Sequence, residues 1–404
     1  MIIKRQDVSI YLFDLIRTSS IPYALMRDIE RTLNDQESKD FDLAVETKNI
    51  SQIKQLFSND TNINVIYTNS RSYCLSIGMI LKLNDEFSFF SVDLIHKFSI
   101  YGVDFFDMKT VLTDHTEQYQ FHGRIINILS SQMNAAVKTM PACFFNYIEQ
   151  NITAGEREFI QSHLLPNFIM KDYPHSNPKF QLKTHSILIN SVKILRHVFQ
   201  EFFGYYARTK FFSIAVLGPD GAGKSTVIDS IFSEISKAFV QSQTIHLKPK
   251  LFFNRRYEKR GVVTDPHSKP HRGIFLSLIK IFLWLIELLY FHHFTKRQNQ
   301  TLVIFDRFLS DVLVDPCRYR FKKMSVFLNL CKLFPPDLTI ILVADANIIY
   351  GRKQETTFSV LERSLVEYSQ LNHKLGSPTL TVNNKYDLDY AVLKIYDYLF
   401  ERRF

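Results

Sequence analysis

From residue 211 onward two apolar patterns alternate. FFSIAVL (211–217), TLVIF (301–305) and LTIILV (338–343) are short, continuous and rich in β-branched residues, as expected of strands buried on both faces. STVIDSIFSEISKAF (225–239) spaces its apolar residues by three and four, the period of an amphipathic helix. Strands alternating with helices predict an α/β fold: a parallel sheet with flanking crossover helices over residues 206–404.

The first half reads differently. Residues 8–17 are helix-like and 22–33 mixed, whereas KDFDLAVE (39–46) alternates as a strand does. NVIYTN, YCLSIGMILKL and FSFFSVDLIHKFS follow as β-rich runs broken by Asn, Asp and Gly, so residues 1–115 predict a small mixed α/β domain. From 116 to 205, GRIINILSSQMNAAV, REFIQSHLLPNFI and HSILINSVKILRHVFQEFFGYY predict a helical connector. KDYPHSNPKF (171–180) forms a loop within it.

IFLSLIKIFLWLIELLYFHHF (274–294) has the length of a membrane span. Lys280 and Glu287 inside it would each cost about 2.5–3.5 kcal/mol at bilayer depth. A single crossing would also separate two strands that belong to one sheet. A buried helix is expected, with contact at a membrane surface beside Arg272, Lys296 and Arg297 as the lesser alternative. The N-terminal MIIKRQDVSIYLFDLI lacks a small-residue cleavage site and reads as no signal peptide.

Composition narrows the class only a little. The chain has 404 residues, which predicts two or three domains, and its 46% hydrophobic residues can give each a core. A formal charge of +9 suits a protein that handles anions. The basic residues are dispersed, and the runs at 248–260 and 267–272 fit an anionic-substrate surface better than a nucleic-acid groove. Cys74, Cys143, Cys317 and Cys331 lie far apart without metal-ligand spacing, as expected of idle thiols in a cytoplasmic protein.

The chemistry is densest at GPDGAGKST (218–226). Gly218, Gly223, Lys224 and Ser225 fit G-x-x-x-x-G-K-[ST], after a strand and before a helix. Glycines let backbone N–H groups turn toward phosphates, and a helix N-terminus adds favourable partial charge. Gly218, Asp220, Gly221, Ala222, Gly223, Lys224, Ser225 and Thr226 are thus expected to cradle ATP, with Lys224 on the outer phosphates and Ser225 on Mg²⁺. TLVIFDRF (301–308) ends in Asp306, placed to approach the metal, and Arg307, placed to neutralise a phosphoryl oxygen. PDLTIILVADANIIYGRKQE (336–355) then brings Arg352, Lys353 and Glu355, charges that could close over the transferring group.

Together these stretches resemble the thymidylate kinase family of P-loop kinases, over roughly residues 210–404. Asp220 matches the acid of the family's loop, Asp306-Arg307-Phe308 its DR-aromatic motif, and GRKQETTFSVLERSLVEYSQL (351–371) its arginine-rich lid. The resemblance implies that Arg307 contacts the acceptor phosphate, that Asp220 lies near the acceptor sugar, and that Arg352 helps stabilise the transferring group. It also implies ATP and Mg²⁺ as cofactors and, often, a homodimer. Leu217 stands where the family usually has Glu, and Phe308 where Tyr is commoner. HLKP and DPHSKPHR look more like divergent kinase-like proteins of surface-polysaccharide gene clusters. The acceptor therefore stays open between a nucleoside monophosphate and a sugar or polyol precursor.

In the first half, Asp40 and Asp42 alternate onto one face of a strand, and Asp93 sits on a later strand. Three such carboxylates can hold two Mg²⁺ ions for nucleotidyl transfer. The pattern resembles the nucleotidyltransferase fold. Arg27–Asp28 stand where that family has its glycine-containing turn. Two alternatives to a simple kinase follow: a bifunctional nucleotidyltransferase-kinase, or a non-enzymatic module gated by ATP.

Overall fold

The computed structural model of the protein describes residues 2–144, 153–171, 179–183, 190–207, 212–246, 273–295, 301–321, 326–352, 357–385 and 387–402. The basic runs at 248–260 and 267–272, most of the loop at 171–180, and Arg272, Lys296, Arg297, Lys353 and Glu355 lie outside them. The side chain of Cys143 does so too. The chain divides into two compact units, Ile2–Arg208 and Thr209–Arg402.

The first unit is built on a seven-stranded mixed sheet. Its strands are β1 (Tyr23–Leu25), β2 (Asp40–Val45), β3 (Ile63–Ser70), β4 (Cys74–Leu83), β5 (Glu86–Ile95), β8 (Thr116–Phe121) and β9 (Arg124–Leu129), in the order β3-β4-β5-β2-β1-β9-β8. A small hairpin of β6 (Phe98–Ile100) and β7 (Val103–Phe106) and a second pair, β10 (Phe168–Lys171) and β11 (Lys179–Leu182), accompany it. Strand alternation sorts β2 cleanly. Phe41, Leu43 and Val45 pack against Val8, Leu12, Phe13, Ile53 and Phe57 of the helices Arg5–Thr18 and Ile50–Asn59. Ala44 belongs to the opposite core with Phe105, Phe106 and Met133. Asp40 and Asp42 share the parity of Ala44. Each fully buried Phe or Leu here contributes about 1.5–3 kcal/mol.

Arg5 fastens the first helix to this frame. Its guanidinium is buried, donates to the carbonyls of Thr32 (2.9 Å) and Asp40 (3.1 Å), and lies 3.8 Å from the Phe41 ring centroid.

One segment departs from the sequence pattern. GRIINILSSQMNAAV reads as helical, yet Arg124–Leu129 is strand and the helix begins only at Ser131. His122 (φ 45°) and Gly123 (φ 75°) form a tight left-handed turn between β8 and β9, whose residues pair from Phe121–Arg124 outward. The hairpin fixes the β-branched isoleucines in extended backbone and adds two strands to the first unit's sheet.

The second unit holds a five-stranded parallel sheet. Its strands are β12 (Phe212–Leu217), β13 (Gln241–His246), β14 (Thr301–Asp306), β15 (Leu338–Val343) and β16 (Thr379–Asn383), in the order β13-β14-β12-β15-β16. All six residues of β12 are buried, as a central strand requires, whereas edge strand β13 (QSQTIH) is polar and partly exposed. The chain leaves β12 toward β13 and β14 and later returns to its other side as β15. The topological switch therefore falls at the carboxyl end of β12, where open α/β sheets place their ligands.

The helix Ile274–Thr295 belongs to this unit, and it is not buried all round as its sequence suggests. Ile281, Trp284 and Leu288 join a core with Phe321 and Phe327. Lys280 points inward too, donating to the Tyr319 carbonyl (3.0 Å) with its ammonium 4.5 Å from the Phe321 ring centroid. Phe275, Leu278 and Phe282 are exposed, because the core accepts only one stripe of the helix. No helix among the described residues is long and apolar enough to cross a membrane. Cys74 and Cys331 are buried and Cys317 is exposed, and no disulfide joins them among the described residues.

Candidate functional site

The loop after β12 is held open by backbone that needs glycine. Gly218 (φ 146°) lies so close to β15 that a Cβ there would enter the Leu342 carbonyl oxygen. Gly223 (φ 86°) is the left-handed N-cap of the helix Lys224–Ile235, and a Cβ would meet the Asn384 amide nitrogen at 2.5 Å. That amide donates to the Ala222 carbonyl at 2.8 Å, bracing the loop from the end of β16. Ser225 and Thr226 are exposed in the first helical turn, where hydroxyls are open to a phosphate-bound cation.

Lys224 is buried and turned back on its own loop, donating to the Pro219 carbonyl at 2.8 Å, with Asp220 3.6 Å away. Burial, together with the Arg307 charge, lowers its pKa to about 8 against the pull of Asp220, Asp311 and Asp306.

The register of the sheet carries Asp306 and Arg307 to this loop. Asp306 is the Cα partner of Val216 in β12 and of His246 in β13. The chain then turns at Arg307 (φ 68°), whose N–H donates to the Val216 carbonyl at 3.0 Å. One oxygen of Asp306, Oδ2, lies 3.1 Å from His246 Nδ1. Its other oxygen, Oδ1, is buried and has no hydrogen-bond partner among the described residues. Burial would raise the Asp306 pKa, but His246, Lys224 and Arg307 outweigh it and hold the carboxyl below its ordinary value.

Arg307 is the hub. It is 3% exposed, donates through one nitrogen to Asp311 Oδ2 (2.7 Å) and through another to Asp220 Oδ1. Arg318 donates to the second oxygen of Asp220, so one carboxylate is clasped by two guanidinium groups. Behind them, Tyr319 donates to Asp311 Oδ2 (2.6 Å) and Tyr368 to Oδ1. Burial opposes the charge on Arg307, but Asp311 above all, with Tyr368 and Asp220, more than restores it, and its pKa rises.

The structure thus brings together Gly218, Asp220, Gly221, Ala222, Gly223, Lys224, Asp306 and Arg307, with Ser225 and Thr226 at the helix start. Arg352 is exposed in the last turn of the helix Ala346–Arg352 and makes no hydrogen bond or ion pair with them among the described residues. Sequence reasoning missed Asp311, Arg318, Tyr319, Tyr368, His246 and Asn384. Only the DR motif hinted at them, since an arginine held in buried surroundings requires an acid nearby.

The first unit contains a second cluster. Asp42 and Asp93 are Cα partners in the parallel ladder of β2 and β5, and Asp40 sits two residues before Asp42. One oxygen from each of the three carboxylates lies within 4.8 Å of the others. Asp42 is 3% exposed and its pKa rises to about 7, chiefly through burial, with Asp40 and Asp93 adding to it and Arg27 opposing. Burial likewise raises Asp93, against a hydrogen bond from Ser76. Arg27 reaches Asp42 Oδ2 through Nε (2.8 Å) and stands 3.7 Å from Asp40 Oδ2. Asp28 is the N-cap of the helix Ile29–Asn34, accepting from the Arg31 N–H at 3.2 Å.

No family model matches the chain, and no curated protein matches it. Among solved structures it is similar to a thymidylate kinase from Ehrlichia chaffeensis, at 17% identity and a TM-score of 0.31. The match covers 46% of this chain and 97% of that one.

Proposed function

We propose that the second unit is an ATP- and Mg²⁺-dependent phosphotransferase that moves the γ-phosphoryl group to a small acceptor, a nucleoside monophosphate or a sugar or polyol precursor. The observation that carries this reading is the convergence of Lys224, Arg307 and Arg318 around Asp220 at the phosphate loop. Phosphoryl transfer spreads negative charge over the group in flight, and such a cluster of cations supplies what it needs. In this reading the backbone of 218–224 and Lys224 bind the donor phosphates. Arg307 and Arg318 hold the acceptor or the moving group once Asp220 releases them, and Arg352 arrives from the following helix.

Mg²⁺ fits the donors present: the exposed Ser225 hydroxyl and the buried Oδ1 of Asp306, which has no hydrogen-bond partner among the described residues, are hard oxygen ligands. The cation would neutralise phosphate charge. Asp306, held ionised by His246, would keep it or its waters in place.

ADP release from Mg-ATP by the purified protein, across nucleoside monophosphates, sugars and polyols, tests this. Acceptor-dependent release supports the proposal and names the acceptor class. Tight ATP binding without any release would favour an ATP-gated module instead.

A second reading concerns the first unit, where Asp40, Asp42 and Asp93 meet on adjacent parallel strands. Nucleotidyl transfer there would incorporate labelled nucleotide and depend on Asp40 and Asp42. Equal transfer by Asp40→Asn/Asp42→Asn and wild type would end that reading.

A further inference from the structure

The acidic cluster of the first unit already contains a cation, and the chain supplies it. Strand β1 runs antiparallel beside β2 with Leu25 opposite Leu43, and the Met26 N–H extends the ladder to the Asp42 carbonyl at 2.9 Å. The chain turns at the next residue, so Arg27 emerges beside Asp40 and Asp42. Its Nε is 2.8 Å from Asp42 Oδ2, an ion pair with a carboxylate that is almost wholly buried.

The backbone at Arg27 is committed to this placement. Its φ is 69°, a left-handed conformation unfavourable for a long side chain. Asn134, on the helix Ser131–Phe144, locks it from both sides: its Oδ1 accepts from the Arg27 N–H and its Nδ2 donates to the Arg27 carbonyl, both at 2.9 Å. The guanidinium arrives from the solvent side, with the side chain 62% exposed. It is therefore free to leave without disturbing the core.

One guanidinium does not satisfy three carboxylates. Asp42 Oδ1 is buried and has no hydrogen-bond partner among the described residues, although Arg27 serves the other oxygen of the same group. The three acids offer oxygens within 4.8 Å of one another, close enough for a single small ion. A divalent cation prefers such oxygens and brings twice the charge of Arg27.

We infer that Arg27 is a built-in latch on a divalent-cation seat formed by Asp40, Asp42 and Asp93: the ion and the guanidinium compete, and the seat opens only when Arg27 swings into solvent. This stands apart from the phosphotransferase reading of the second unit and survives its failure.

The test is Mn²⁺ binding to the full chain without nucleotide, followed by the spectroscopic signal of the free ion. Wild type and Asp42→Asn are expected to bind alike, because the seat is closed. Arg27→Gly, which suits the left-handed backbone, is expected to gain one ion bound at least tenfold more tightly. Adding Asp42→Asn to it removes that ion. Arg27→Asn, a residue that also tolerates this backbone, is expected to reproduce the gain. The inference is overturned if Asp42→Asn weakens binding to wild type as much as to Arg27→Gly, since the seat is then open with Arg27 present. It is equally overturned if neither Arg27 variant gains an ion.

Discussion

Asp311 follows Arg307 by four residues, and its fully buried carboxylate holds the arginine's Nη1 at 2.7 Å while accepting from Tyr319 and Tyr368. Arg307 is thereby aimed at Asp220 by a partner that the solvent never reaches. Asp311→Ala leaves a buried guanidinium and two tyrosine hydroxyls without their acceptor. The expected loss is about 3–5 kcal/mol of stability, read from urea unfolding. A loss under about 1 kcal/mol would mean that Asp311 does not anchor the arginine.

Lys224→Ala removes a cation whose charge is already disfavoured by burial, so the fold should keep its stability. Turnover is another matter. ADP release should fall by about 100-fold or more, the scale on which a charge-stabilising group contributes to catalysis. Circular dichroism must remain that of wild type. Undiminished release would remove Lys224 from the site.

Gly218→Ala drives a methyl group into the Leu342 carbonyl oxygen, backbone that cannot move aside without breaking the β12–β15 pairing. We expect a cost of about 2–4 kcal/mol and weakened ATP binding, measured by thermal unfolding and by titration with nucleotide. A variant as stable as wild type would show that the loop has room the structure denies it.

Asp42 makes a prediction in pH. Its pKa is about 7 in the fold against 3.8 ordinarily, so between those values the folded chain holds a proton that the unfolded chain has lost. Stability conferred by that proton is complete below pH 3.8 and disappears as pH rises through 7. The fall amounts to at most about 4 kcal/mol. Asp42→Asn cannot titrate, so its stability relative to wild type should improve from pH 4 to pH 8. A difference that stays flat across this range would refute the assignment.

What the sequence revealed follows the range of the interactions involved. Gly218 to Thr226 form one contiguous stretch, and their spacing carries the geometry, so the loop between β12 and its helix was legible. Asp40 and Asp42 were legible for a similar reason, because strand alternation is a local rule. Arg318 meets Asp220 across 98 positions and Tyr368 meets Asp311 across 57, and no local pattern encodes either meeting. Arg27 was visible as a residue in an unexpected place, but its ion pair with Asp42 exists only once β1 lies beside β2. The β8–β9 hairpin was missed because isoleucine-rich runs satisfy helical spacing by chance, while the deciding signal was the two-residue turn His122–Gly123.

The amide of Asn384 that braces Ala222 has a consequence for how the protein is made. It is encoded 162 residues downstream of the loop it supports. At about 5–20 residues per second of synthesis, the ribosome needs about 10–30 s to travel that distance. During this interval the nascent chain carries the whole 218–226 stretch without its brace. The braced form of the loop is therefore acquired late, when the last strand of the sheet docks, rather than when the loop itself emerges.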